Sequence, residues 1–249
     1  MAGHNKWSKI KRQKAKEDQK KGKIFGKLVR EITMAAREGG GDPEYNPRLR
    51  LAMDKAKEAE MPQDNIDKAI QRGTGELEGV EYKDVVYEAY GPAGVAMVIL
   101  TATDNPNRTV QDVRHALSKH GGNLGTDGSV AWQFERKGQI YVDRRRYTED
   151  VVFEAALEAG AEDVTPMDED EIVVTTGAKD FHEVQQAMKE AGVESSDAEL
   201  AWLPNTTVPV DEAAGRTLVR LLDDLNDLDD VQDVYANADV EHDIVAETA

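Results

Sequence analysis

Eleven cations crowd the first 30 residues: Lys6, Lys9, Lys11, Arg12, Lys14, Lys16, Lys20, Lys21, Lys23, Lys27 and Arg30, against Glu17 and Asp18 alone, a net of +9. Flexible lysines at this density suit one task, neutralising successive phosphates while releasing condensed counterions. Trp7, set among them, offers a plane on which an unpaired base can stack, a contact worth about 1 to 3 kcal/mol. The remainder of the chain reverses the sign. Residues 31–75 hold 7 basic and 9 acidic groups, and residues 76–249 hold 13 and 38, a net of −25 within a whole-chain charge of −18. A basic head on an acidic body grips a polyanion at one end and repels it elsewhere. The plain alternative is a solvated face that binds nothing in particular.

Two shorter stretches carry the other candidates. In Thr103-Asp104-Asn105-Pro106-Asn107-Arg108-Thr109, read as a strand-to-helix loop, Arg108 is available for a ligand, while Asp104, Asn105 or Asn107 fit plain helix capping equally well. Beyond it Arg114, His115, Lys119 and His120 make a small basic island within the acidic body. HGGNLGTDGS, residues 120–129, lacks the Gly-Lys-Ser/Thr ending that holds a triphosphate and Mg²⁺, so a nucleotide-binding loop is rejected. Gly121 as a helix stop before a turn is one account of it. A glycine loop whose amides approach RNA, with Gly122-Asn123-Leu124-Gly125 faintly like the GXXG loop of KH domains, is the other.

Catalysis finds little support. His115 and His120 are five apart rather than the four of a helical metal pair, so no metal site is expected. No serine-histidine-acid or carboxylate-pair pattern stands out, and neither catalytic residues, a cofactor nor a small-molecule substrate is assigned. Sequence-specific DNA reading usually needs a helix presenting Arg, Asn or Gln to base edges, and none announces itself. Contact with phosphates or with RNA shape suits a lysine-rich arm better.

The elements that must position these residues are read from periodicity. At 249 residues, two or three domains are expected. Phe25, Leu28, Val29, Ile32 and Ala36 recur at helical spacing until Gly39-Gly40-Gly41; Asn46 caps and Pro47 opens a second helix with Leu49, Ala52, Met53, Ala56 and Ala59 inward. Pro62 opens a third helix through Ile66, Ala69 and Ile70, closed by Gly73. Residues 5–23, interrupted at Gly22, hold too few apolar groups to join this bundle and are expected to be mobile or a frayed helix until a partner neutralises them. Strands then alternate with helices: a hairpin of Val85–Tyr90 and Val95–Leu100 around Gly91-Pro92-Ala93-Gly94, a helix with Val110, Val113 and Leu117 inward, and a strand with Val130, Trp132 and Phe134 on one face. A second run follows: Gln139–Val142, a helix over Thr148–Gly160, Glu171–Thr175, a helix begun by Asp180 and Glu183 as a capping box, and Ala198–Leu203. Last come Val208–Val210, a helix with Ala214, Leu218, Leu221, Leu222 and Leu225 inward, and a strand near Val231–Ala236.

The expected fold is α+β and multidomain: a three-helix domain over residues 1–75, then two ferredoxin-like α+β domains, one formed by residues 76–136 with 205–249 and the other, residues 137–204, inserted in it. A simple tandem is the alternative. Asp223-Asp224 and Asp229-Asp230 read as solvated surface. With no Cys there are no disulfides or zinc-thiolate sites, and no run approaches the roughly 18 to 20 apolar residues of a membrane span. The N-terminus carries charge without a following apolar region, so neither a signal peptide nor a transit peptide is expected, and a bacterial-type cytoplasm is the expected home. A monomer is expected, with a weak dimer as the alternative.

Taken together, AGHNKWSKIKRQK, GKIFGKLVREI, NPRLRLAMDKAKEAEMPQDNIDKAIQRG, YEAYGPAGVA and TDNPNRTVQDVRHALSKHGGNLGTDGSVAWQFERKG resemble the YebC/PmpR family over most of the chain, and VQDVYANADV is similar to its closing strand. The resemblance implies three domains around a concave surface in a non-enzymatic cytoplasmic protein. Members are commonly described as transcriptional regulators that bind DNA. Others, among them mitochondrial relatives that activate translation, are described as ribosome-associated factors that help stalled synthesis. Two departures fall in loops: Ala93 stands where the family usually has the second glycine of a YGPGG turn, and Pro106 where a basic or polar residue is usual. Asn5 and Gln13 also differ from the commonest motif. The expected partner is therefore nucleic acid, either DNA or ribosomal RNA in the ribosome.

Overall fold

A computed structural model describes residues 21–167 and 169–240. Lys6, Trp7, Lys9, Lys11, Arg12, Lys14, Lys16 and Lys20 lie outside the described residues, as does most of the segment expected to be mobile. Its last three residues are already helical: α1 spans Lys21–Gly39, with Gly22 inside it rather than interrupting it. Lysine is a good helix former and extending an existing helix is cheap, so α1 begins before its first apolar residue.

Helix α2 (Pro47–Glu58) and α3 (Gln63–Thr74) complete the bundle. Ile32, Ala35 and Ala36 of α1 pack on Leu49, Ala52, Ala56, Ile66 and Ala69. Asn46 joins two helix ends at once. Its Oδ1 accepts from Leu49 N at 3.1 Å, and its Nδ2 donates to Ala35 O at 2.7 Å and Gly40 O at 2.8 Å. Gly73 does not close α3 as expected; Gly75, at φ 83°, does. A Cβ on Gly73 would meet Thr33 O at 2.4 Å and the Ala36 Cβ at 2.6 Å, so this glycine lets α1 and α3 touch backbone to backbone.

Strand β1 (Lys83–Tyr90) and β2 (Ala96–Thr103) form the expected hairpin, joined by a 3₁₀ turn at Pro92–Gly94. Helix α4 (Pro106–Lys119) and the short β3 (Asn123–Leu124) follow. The chain then leaves this sheet for β4 (Phe134–Asp143), α5 (Glu149–Glu158), β5 (Asp163–Pro166), β6 (Glu171–Gly177), α6 (Phe181–Glu190) and β7 (Asp197–Pro204). After β8 (Val208–Pro209) and α7 (Glu212–Asn226), it returns to the first sheet through β9 (Val231–Ala236), and β10 (Ala238–Asp239) pairs with β8. The described residues thus form seven α-helices and two four-stranded antiparallel sheets, ordered β3-β1-β2-β9 and β5-β6-β4-β7. The second order, with α5 and α6, is that of a ferredoxin-like unit.

Each sheet has its own core: Met97, Ile99 and Val234 against Val113, Leu117, Leu218 and Leu222 in the first, and Ile140, Val142, Ile172 and Val174 against Val152, Val184 and Met188 in the second. A smaller cluster, with Ala96, Val98 and Tyr235 on one side and Phe134, Ala201 and Leu203 on the other, joins the sheets. Three expectations shift here. Residues 131–133 form a 3₁₀ turn, so the strand begins at Phe134 and runs unbroken through the segment expected separately at Gln139–Val142. The edge strand β5 escapes the pattern because it is short and mostly exposed. Asp180 precedes α6 in helical φ/ψ and its side chain makes no cap, because the capping box needs an extended residue there.

Candidate nucleic-acid interface

Three cations of the leader, Lys23, Lys27 and Arg30, reach protein partners from α1. Lys23, Lys27 and Arg30 share one helix face, and that face lies on the C-terminal end of α7 and the loop after it. Lys27 Nζ donates to Asn226 O at 2.7 Å; Lys23 Nζ donates to Asp227 O at 3.2 Å and pairs with its carboxylate at 3.4 Å. Arg30 donates to Asp229 O and stacks 5.6 Å from the centre of the Tyr82 ring. A helix C-terminus presents unpaired carbonyls and a partial negative charge, so three cations there are well placed.

Arg108 and Arg30 converge on Asp230, which is only 5% exposed. Its Oδ2 accepts from Arg108 at 2.7 Å, from Thr109 Oγ1 at 2.7 Å and from Thr103 Oγ1 at 3.2 Å, while Arg30 approaches Oδ1 at 3.7 Å. Burial pushes this carboxyl up, but the Arg108 and Thr109 hydrogen bonds and the two arginine charges outweigh it and hold it below the usual carboxylate range. Arg108 also pairs with Asp104 at 2.7 Å, while Asn105 caps α4 by accepting from Arg108 N at 3.2 Å. The TDNPNRT loop therefore both caps a helix and ties α1 to the body. Pro106 occupies the first helical position, where its fixed φ and missing N–H cost nothing.

Farther along α4, Lys119 Nζ lies 2.7 Å and His120 Nε2 2.8 Å from Asp224 Oδ2 on α7. Lys119 first and His120 second hold that carboxyl below its ordinary range. Two of the aspartates expected as solvated surface, Asp224 and Asp230, are thus the counterions of Lys119 and His120 and of Arg108 and Arg30. Arg114 and His115 differ. Both are exposed, and neither has a hydrogen-bond or ion-pair partner among the described residues. Arg114 borders a cleft of about 510 Å³ between α4, β1 and the loop after β3.

That loop answers the question its glycines raise. Its backbone amides are turned inward onto Glu88: Gly128 N donates to Oε1 at 2.5 Å, and Val130 N and Ala131 N donate to Oε2 at 2.6 and 2.8 Å. Burial alone would raise the Glu88 carboxyl, and the amides win, holding it low. The amide nest that RNA would need already holds an internal anion. The loop instead displays Trp132, 72% exposed and fixed by its Nε1–H bond to Ser129 O at 3.1 Å and by Asn205 Nδ2 donating to its carbonyl at 3.3 Å.

Glu88 and Asp230 were not singled out by residue type, since each is one acid among 49. The only signal was position: Glu88 on a strand otherwise rich in apolar residues, and Asp230 just before the last strand. Among the described residues, no group of three or more His, Asp or Glu is arranged to hold a metal, and no helix is long and apolar enough to cross a membrane.

A three-helix head docked by its cations onto a body of two antiparallel sheets defines the class of protein, and sequence comparison supplies the family. Residues 5–76 match the model of the TACO1/YebC protein N-terminal domain, and residues 82–238 that of the TACO1/YebC second and third domain. The chain belongs to the TACO1/YebC family. It is 57% identical over 99% of its length, and 98% of the relative's, to "Probable transcriptional regulatory protein IL1088" of Idiomarina loihiensis. It is 50% identical over 99% of its length, and 98% of the relative's, to "Probable transcriptional regulatory protein CT1665" of Chlorobaculum tepidum. The crystal structure of the conserved hypothetical protein Aq1575 from Aquifex aeolicus is similar, with a TM-score of 0.83 and 46% identity over 90% of this chain and 92% of that one.

Proposed function

We propose that this protein is a non-enzymatic, nucleic-acid-binding regulator of gene expression whose residues before α1 grip phosphate. The observation that carries the reading is the charge contrast, +9 in residues 1–30 against −25 in residues 76–249. The relatives' names support regulation of transcription, and DNA is the first partner on that ground. Ribosomal RNA is the second, with a role in relieving stalled synthesis. A specific observation favours it: the exposed faces of α2 and α3 mix Asp54, Lys57, Asp64, Asp67 and Lys68 rather than presenting a uniform base-reading set, and a strongly acidic body is repelled by long duplexes. Within this proposal the division of the chain into a head of residues 1–75, a discontinuous unit of 76–136 with 205–249, and an inserted unit of 137–204 keeps the binding end apart from the repelling one.

Co-sedimentation with ribosomes across a salt series tests the choice. Association at low salt that is lost as salt rises supports the ribosome; confinement to the free fraction throughout, together with a footprint on one promoter, supports DNA. With six to eight phosphate contacts, log K falls against log salt with a slope of about −5 to −7. Replacing Lys9, Lys11, Arg12 and Lys14 with alanine flattens it, and an unchanged slope removes the leader from the mechanism.

A further inference from the structure

The cleft beside α4 combines three features that bear on what it can hold. Its volume, about 510 Å³, falls in the range of small-ligand sites. Val110, Leu124 and Tyr87 supply its apolar lining. Its charges are unbalanced: the acidic residues Glu88 and Asp127 line it with Arg114, the one basic residue in that lining. Glu88 is committed to the loop amides, while among the described residues neither Asp127 nor Arg114 has a partner. A bare phosphate is disfavoured inside such a surround. A neutral ring that donates N–H groups is favoured, and an anionic group attached to it can reach the exposed guanidinium.

We propose that this cleft holds one unstacked nucleotide of a single-stranded nucleic acid, its exocyclic amino group on Asp127 and its phosphate on Arg114. Carboxylates accept from the amino group of cytosine, and the oxygen at the same position of uracil repels them. The site is joined to the leader through the fold. Arg114 stands about 7.5 Å along α4 from Lys119; Lys119 holds Asp224, and α7 ends at the residues that receive Lys23 and Lys27. A strand gripped by the leader can therefore deliver a base to the cleft. The inference rests on the nucleic-acid reading for the source of the nucleotide, and on the cleft alone for its chemistry.

Isothermal titration of the full chain with CMP, UMP, cytidine and inorganic phosphate tests it. CMP is expected to bind at least tenfold tighter than UMP, and phosphate alone not to bind. R114A weakens CMP about tenfold and leaves cytidine unchanged; D127N removes the preference for CMP; V110W, which fills the cleft, abolishes binding. The inference is overturned if CMP does not saturate, if UMP or phosphate binds equally well, or if V110W binds undiminished. The leader variant with Lys9, Lys11, Arg12 and Lys14 replaced separates the two readings. If it keeps ribosome and DNA affinity while CMP still binds the cleft, the leader reading fails alone; if it loses them while CMP never binds, only the cleft fails.

Discussion

Glu88 and Asp230 are both buried acids held ionised, yet they do different work. Glu88 is gripped by backbone amides of one loop in its own sheet, so its charge shapes a local turn. Asp230 is gripped by side chains from two directions, Arg108, Thr109 and Thr103 of the first sheet unit and Arg30 of the head. The difference separates fold from assembly. An anion satisfied by main chain fixes a conformation, whereas one shared between arginines of distant elements fixes how two parts of the molecule sit. Lys23, Lys27 and Arg30 are thereby engaged by the body, and under the proposed function phosphate binding falls to the lysines before residue 21.

The largest expected effect comes from breaking the shared anion. D230A takes away the carboxylate beside Arg30 and leaves Arg108 with the exposed Asp104 alone, and removal of one partner of a buried charge network costs about 3 to 5 kcal/mol. Arg108 is half exposed, so about 3 kcal/mol in urea unfolding is expected. The loss should be accompanied by faster amide exchange in α1 than in the second sheet; exchange quickened in the first sheet alone would mean that Asp230 stabilises only its own sheet. E88Q comes next, at about 2 kcal/mol, because a neutral amide keeps the shape but removes the charge and turns an NH₂ donor toward at least one loop N–H that a carboxylate oxygen had satisfied. Here exchange should quicken at Gly128, Val130 and Ala131 while α1 is untouched.

Acid sharpens the same contrast. Both carboxyls bind protons less readily in the folded protein than in the unfolded chain. Their contribution is therefore complete above the ordinary carboxylate range of about pH 4, and is lost as pH falls through the lower folded-state values. Each variant, D230N or E88Q, should flatten the fall in stability below about pH 4 relative to the parent. A parallel acid limb in either variant would show that its carboxyl does not titrate differently on folding.

Much of this architecture was legible because it rests on local patterns. Helical spacing from Phe25 to Ala36, the Asn46-Pro47 start and the YEAYGPAGVA hairpin each follow from a few neighbouring residues. What escaped depends on residues brought together from afar. Gly73 looks like a helix stop until Thr33 is seen against it, and Arg108 looks like a ligand contact until Asp230, 122 residues on, is found to hold it. Lys23, Lys27 and Arg30 read as phosphate ligands for the same reason: charge is visible in a sequence, and the carbonyls at the end of α7 and beyond it are not.

The smallest effect is expected at the turn where this chain departs from the family pattern. Ala93 adopts φ 57° and ψ 19°, the left-handed region in which a Cβ crowds the backbone at a cost of about 1 to 2 kcal/mol. Glycine relieves that crowding and gains freedom in the unfolded chain, so the two changes oppose. The relief is the larger, and A93G is expected to stabilise by about 0.5 kcal/mol. Because Gly91 N donates to Val95 O at 2.8 Å and Gly94 N to Gly91 O at 3.2 Å, the turn is closed by backbone bonds that either residue keeps. A thermal midpoint raised by a degree or two, with no change in the exchange of the Glu88 loop or of α1, is the outcome expected. A lowered midpoint would mean that the turn is set by the alanine methyl's own contacts, and that the departure compensates for something elsewhere in the first sheet.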